Sequence, residues 1–258
     1  MRAWRRTRRT SQLDLALKCS ISQRHLSFVE SGRARPSRAM VLRIAESLDV
    51  PLRERNVLLV AAGFASYFDE RSLDTPEMLP VRSALRQMLT HHDPYPAVVV
   101  NRQWDILMAN DAMSALFAAL GWAPQAGATV NIVRATLTEP AFRKVIVNWD
   151  EVVRHLLARL RREAAASGSP ALNALVEELR SVGDFADAWS DADWTRPPAP
   201  VLPVLLDISG QRLSLFSMIA TFGTPMDLTT DELRVETFFP MDDASEQLLR
   251  RTAATPAR

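Results

Sequence analysis

The chain has 258 residues, 47% of them apolar and 24% charged. Its formal net charge of +1 conceals a split, with 13 basic against 5 acidic side chains in residues 1–62 (+8) and 18 against 25 in the remainder (−7). One cysteine and four histidines argue against a disulfide or a Cys/His metal centre, and the lack of an apolar run of about 18 residues or of a secretory signal at Met1 to Thr10 predicts a cytoplasmic protein with no membrane partner.

In chain order, residues 2–62 read as short, sharply punctuated helices. Ser11, with Asp14 three residues on, starts a helix that runs to Lys18. Ser22 caps a second helix with Leu26 and Val29 on one side, and Gly32 ends it. Pro36 and Ser37 open a third, in which Met40, Val41, Ile44, Ala45 and Leu48 share a face; Pro51 breaks it before an amphipathic stretch over Leu52 to Ala62. Residues 64–93 form a connecting segment with a helix from Val81 to His91.

From Pro94 the apolar period changes. Ala97 to Val100 and Trp104 to Ala109 flank Asn101-Arg102-Gln103 as a hairpin, and Asn110 or Asp111 caps a helix to about Leu120. Val152, Val153, Leu156, Leu157 and Leu160 share one helix face, and Leu172, Leu175, Val176 and Leu179 share another, with Gly168-Ser169-Pro170 between them. After a loop containing Arg196-Pro197-Pro198, Val201 to Ile208 and Arg212 to Ala220 form a second hairpin, and Arg234 to Phe239 a last strand. This pattern predicts a mixed domain over 94–245, with an antiparallel sheet and helices on one side.

The spacing from Ser11 to Gly32 is that of a helix-turn-helix. Ala16 lies where the helices cross, Ile21 plugs the turn, and Leu26 and Val29 anchor the second helix. Gln12, at the first helix's N-terminus, is placed for a phosphate contact. Gln23, Arg24, Ser27 and Phe28 are offered to the major groove, with Ser22 and Arg33 completing the predicted DNA contacts. The residues Ser11-Gln12, Ala16, Ser22, Leu26, Val29-Glu30 and Gly32 resemble the Xre (lambda-repressor/Cro-like) helix-turn-helix family. The resemblance implies that Arg24 reads guanine, that Gln23 reads adenine, and that Arg5 pairs with Glu30 to fix helix one against the recognition helix. Ser20 stands where that family usually has glycine, Thr10 fills a usually apolar slot, and helix one begins almost at Met1.

Further strings extend the likeness. They include Pro94-Tyr95-Pro96-Ala97, Asn101-Arg102-Gln103-Trp104, Ala109-Asn110, Asn131-Ile132-Val133-Arg134, Asn148-Trp149, Ala220-Thr221-Phe222-Gly223-Thr224 and Glu232-Leu233-Arg234-Val235-Glu236. Together with the N-terminal motif they resemble the MmyB-like transcription regulators. That resemblance implies an all-α lambda-repressor-like helix-turn-helix domain (1–63), then an α+β PAS-like domain (94–245) that can hold a fatty acid.

A sheet backed by helices can enclose an apolar pocket with a few polar groups. Leu107, Met108, Phe117, Leu215, Phe216, Met218 and Phe238 are candidate linings, each competing with plain core packing. Asn110, Asn131 and Arg134 are candidate anchors for a ligand carboxylate, Arg134 being equally suited to a surface ion pair. No cofactor is required. G-x-S-x-G, G-x-G-x-x-G and G-K-[ST] are all missing, so catalysis is not expected. The expected protein is a cytoplasmic, homodimeric regulator that binds a double-stranded operator and an apolar small molecule. The alternative is a DNA-binding protein whose second domain only dimerises or binds a partner.

Overall fold

The structure is a computed structural model and describes residues 1–123, 127–182 and 200–254. Its contacts divide the chain into two compact units. The first comprises Met1–Arg71 with Ala166–Gly168 and Thr224–Asp231, and the second Ser72–Ala165, Ser169–Gly223 and Glu232–Arg258.

The first unit is helical: α1 (Arg2–Thr7), α2 (Gln12–Lys18), α3 (Gln23–Glu30), α4 (Arg38–Ser47) and α5 (Leu52–Ala61). Three serines set the starts. The hydroxyls of Ser11, Ser22 and Ser37 accept from the backbone N–H of Asp14, His25 and Met40, each cap contributing about 1 kcal/mol. Leu15, Ala16, Cys19, Leu26, Ile44, Ala45, Leu48 and Val50 close one apolar core, with Ala16 where α2 meets its neighbours. Leu52, Phe68 and Leu228 form a smaller cluster, beside which the Asn56 amide donates to the Phe68 carbonyl and accepts from the Tyr67 and Phe68 N–H groups.

The α2–α3 turn holds Ser20 at φ +52°, the left-handed region in which a Cβ crowds the following carbonyl. Glycine at this position removes that strain. Ser20→Gly is expected to stabilise this unit by about 1 kcal/mol, read from urea unfolding followed by circular dichroism. An unchanged or lowered midpoint would contradict it.

The second unit begins with a 3₁₀ turn at Pro76–Met78 and α6 (Leu79–His92). Strands β1 (Ala97–Val100) and β2 (Ile106–Ala109) precede α7 (Asp111–Ala119), α8 (Ile132–Thr138), α9 (Pro140–Val145), α10 (Trp149–Ser167) and α11 (Pro170–Arg180). Strands β3 (Val204–Ile208), β4 (Gln211–Ala220) and β5 (Arg234–Pro240) follow, with α13 (Asp243–Ala254) after β5; between β4 and β5 the chain passes through α12 (Leu228–Glu232), which belongs to the first unit up to Asp231. The strands make one antiparallel sheet in the order β2-β1-β5-β4-β3, so β5 joins the two hairpins. The fold is therefore a helical helix-turn-helix region followed by an α+β domain, as the resemblance implies.

Alternation along the strands gives the sheet two faces. On the inner face Val98, Val100, Leu206, Leu213 and Leu215 pack into the main core with Leu157, Leu160, Leu172 and Leu179 of α10 and α11. On the outer face Ala97, Val99 and Val235 meet Leu85 and Leu89 of α6. Helices thus cover both faces in part, not one side as the pattern suggests, because the connecting-segment helix is amphipathic enough to dock on the sheet.

The expected strand Trp104 to Ala109 pairs only from Ile106, since Trp104 adopts φ +71° and ends the extended run. Short α8 and α9 are not read from the sequence, since seven and six residues carry too little period for recognition, and α13, twelve residues long, is not read either. The loop containing Arg196-Pro197-Pro198 lies outside the described residues.

Candidate functional site

The recognition surface is built on α3. Gln23 and Arg24 are exposed at its first turn, Ser27 and Phe28 are half-buried one turn on, and Arg33 is exposed just beyond its end. The Arg24 guanidinium lies 5.4 Å from the Phe28 ring centroid, so Phe28 props the arginine rather than standing as a free apolar contact. Ser22 uses its oxygen as the α3 cap, which leaves its hydroxyl proton available.

Beneath this surface lies the expected pair between Arg5 and Glu30. Arg5 donates through Nε and Nη2 to the two carboxylate oxygens at 2.7 and 2.9 Å, in fork geometry. Gln12 Nε2 donates to Glu30 Oε2 at 2.8 Å. The amide expected against a phosphate therefore gives one of its two N–H bonds to Glu30, because the end of α3 lies beside the start of α2. The Glu30 side chain is fully buried. The Arg5 bond holds its carboxyl below the ordinary range against the opposing effect of burial. One buried carboxylate thus ties α1, α2 and α3 together.

In the second unit, the candidate anchors are engaged in structure. Asn110 caps α7, accepting from Met113 N–H and Ala97 N–H and donating to the Tyr95 carbonyl. Asn131 caps α8, accepting from Arg134 N–H and donating to Asp105 Oδ1. Arg134 forms an exposed two-bond pair with Glu178 at 2.6 and 2.7 Å, the surface role weighed for it from sequence. These three side chains are not turned together towards a pocket, since two are helix caps and the third faces solvent.

The candidate linings divide as well. Phe117 belongs to the inner core, in edge contact with Trp122 and Phe142, and Phe238 packs against the same core. Phe216 lies on the outer face and stacks on Phe239 at 5.5 Å. Leu107 is 43% exposed, because it is the extra residue of a bulge: Val99 pairs with Met108 and Val100 with Ile106. Met218, 58% exposed, borders an open outer-face groove of about 480 Å³ with Met88, His91, His92, Thr237 and Phe239.

Sequence reasoning passed over the polar group on the inner face. Arg159 and Glu163 lie one turn apart on α10, and Arg234 and Glu236 are alternate residues of β5; Arg159, Glu163 and Arg234 gather around Trp104, and Glu236 lies beside Arg159. Glu163 Oε2 accepts from Trp104 Nε1 at 2.9 Å and Arg234 Nη1 at 2.7 Å, while Oε1 accepts from Arg159 Nε at 3.0 Å. Both guanidinium carbons lie over the indole, 4.2 and 5.1 Å from its centroid. Glu236 Oε1 is 3.9 Å from Arg159 Nη1.

Burial alone would raise the Glu163 carboxyl, but the hydrogen bond and charge of Arg234, then the bonds from Arg159 and Trp104, hold it below the ordinary range. Glu236 goes the other way: burial raises it, only partly offset by a hydrogen bond with Ser217 and the charge of Arg159. His155, one turn before Arg159, is pushed down by burial and by Arg159 and Arg162. The signal that could have exposed this group is the pair Arg234-x-Glu236, two charges on the side of β5 shared with Phe238.

Two family models match the chain: "MmyB-like transcription regulator ligand binding domain" over residues 81–251 and "Helix-turn-helix" over residues 1–55. Among solved structures, the PAS domain of Bordetella pertussis BvgS is similar at 16% identity and a TM-score of 0.27, covering 67% of this chain and 96% of that one. An RNA-binding light-oxygen-voltage receptor is similar at 11% identity and a TM-score of 0.28, covering 97% of this chain and 60% of that one. No curated protein matches the chain in sequence.

Proposed function

The chain belongs to the MmyB-like transcription regulators, and from that premise we propose that it binds one operator sequence as a homodimer and senses a fatty-acid-like molecule in its second domain. The DNA-binding and ligand-sensing classes come with the family; the operator specificity, the dimer and the ligand are the proposal. The observation that carries it is the exposed first turn of α3, with Gln23 and Arg24 displayed on a helix fixed from below by Arg5, Gln12 and Glu30. An N-terminal segment with a balance of +8 supports phosphate contact, and two recognition helices would meet half-sites about 34–36 Å apart. Ligand changes DNA affinity only through its different affinity for the DNA-competent and incompetent forms.

The test is selection of bound sequences from a randomised duplex pool, followed by anisotropy titrations. A two-fold symmetric site is expected, with affinity falling as salt rises. Arg24→Ala is expected to weaken binding roughly ten- to hundredfold and to relax preference at one base pair of each half-site. An unchanged base preference in that variant would remove Arg24 from base reading, and a selected single half-site would remove the dimer. Native mass spectrometry of the purified chain addresses sensing, where a retained lipid-sized mass is the expected result.

A further inference from the structure

Ala220 of β4 and Val235 of β5 are register partners, so a turn of a few residues would suffice to join the two strands. The chain instead runs out through residues 221–234, and a connection of that length in a compact domain usually carries a function. Its middle, Thr224–Asp231, is part of the first unit, although it lies inside the stretch that matches the ligand-binding family model.

Within the first unit this segment is firmly seated. Buried Leu228 closes the apolar cluster with Leu52 of α5 and Phe68, against which Leu42 of α4 packs. The Leu228 N–H donates to the Asp69 carbonyl at 2.8 Å. Asp227, also buried, accepts from Arg71 Nη1 at 3.0 Å and from Thr229 N–H at 2.9 Å. The Thr229 hydroxyl donates to the Arg71 carbonyl at 2.7 Å.

Asp231 supplies what α5 lacks. Helices α2, α3 and α4 are capped by the serines that precede them, whereas α5 follows Pro51, which has no side-chain acceptor. Asp231 Oδ2 accepts from Leu52 N–H at 3.2 Å. That bond satisfies one first-turn donor and sets a negative charge at the positive end of the helix. A residue placed just before the last strand thus completes the last helix of the DNA-binding unit.

The two ends of the segment differ. Gly223, Thr224 and Met226 at its entry are exposed. At its exit α12 hands the chain straight to the sheet: Glu232, already in the second unit, accepts from buried Arg102 Nη1 at 3.1 Å, and only buried Leu233 separates it from β5. We propose that Thr224–Asp231 is a regulatory clip, seated when the helix-turn-helix unit is DNA-competent and released when β5 shifts in the sheet. One leucine, one ion pair and a few hydrogen bonds hold it, a set small enough to open locally while both cores stay folded. The inference rests on the DNA-binding reading above and is independent of which molecule the second domain takes.

The test is hydrogen exchange followed by mass spectrometry on the full chain, with and without the duplex recovered by the selection above. Coupling is reciprocal, so duplex binding is expected to slow exchange about tenfold both in residues 52–62 and in residues 218–236. A short Gly/Ser insertion after Asp231 leaves the clip seated and uncouples it from β5. It is expected to keep duplex affinity within about threefold of wild type and the slowing at 52–62, and to lose the slowing at 233–236. Leu228→Ala, which unseats the clip, is expected to weaken duplex binding about tenfold while exchange in β1 and β3 stays as in wild type.

Exchange at 218–236 indifferent to bound duplex in wild type would overturn the clip as a coupling element, and so would slowing at 233–236 that survives the insertion. Duplex binding by Leu228→Ala as tight as by wild type would overturn the link between seating and DNA competence. Should that variant not fold, wild type and the insertion variant decide alone. Failure of wild type to bind any duplex would remove the DNA-binding reading itself, and this inference with it.

Discussion

Replacing Arg5 by alanine is expected to cost the helix-turn-helix unit about 3 kcal/mol or more, because the fully buried Glu30 carboxylate would lose its two-bond partner. Gln12 and the more distant Arg2, 3.7 Å away, cannot offset that loss. Urea unfolding followed by circular dichroism reads the effect, and a change under about 1 kcal/mol would show the pair to be incidental. The double variant Arg5→Met, Glu30→Met is expected to recover most of the stability, since apolar replacements for a buried pair are often neutral or better. The pH profile carries a second signature. Glu30 is depressed in the folded state, so its stabilisation is present above the ordinary carboxylate range and is lost as pH falls through its folded value. Arg5→Ala is expected to flatten that acid limb.

The second large effect comes from Glu163 and Glu236, which should give opposite responses to the same substitution. Glu163 is depressed in the folded state, so it stabilises at neutral pH and its contribution fades on acidification. Glu163→Gln is expected to lower stability at pH 7 by about 2–3 kcal/mol, the scale of hydrogen bonds to a charged group, with the gap closing in acid. Glu236 is raised, so its contribution is present below the ordinary carboxylate range and is lost as pH rises towards its folded value. Glu236→Gln keeps a neutral side chain throughout. It is expected to raise the melting temperature above neutrality and to match wild type in acid. Melting curves across pH check both, and a matching sign for the two variants at pH 8 would show that the group is not organised as described.

These residues mark the limit of what sequence makes legible. The start of the helix-turn-helix is readable because its signals are local: Ser11, Ser22 and Ser37 each cap a helix three residues ahead, and Gly32 ends α3 at φ +74°. The pair Arg5–Glu30 is readable from the family pattern. The polar group in the second unit is not, because its parts lie at 104, 159, 163, 234 and 236 and meet only when β5 enters the sheet beside α10. On α10 alone, Arg159 and Glu163 look like an ordinary solvated pair at helical spacing. Leu107, a candidate lining by its sequence, faces outward for a smaller reason: one bulged residue reverses which side of a strand faces inward.

The position of β5 between β1 and β4 also bears on synthesis. Each hairpin is built from neighbours in the chain and can form soon after it leaves the ribosome. The sheet cannot be joined until residues 234–240 have emerged. Until then β1 and β4 each present an open apolar edge, the kind of surface that pairs with other chains. A truncation before Arg234 should therefore yield insoluble protein rather than a smaller sensor. The nascent regulator needs protection over most of its translation, and the last strand to be made is the one that ends that need.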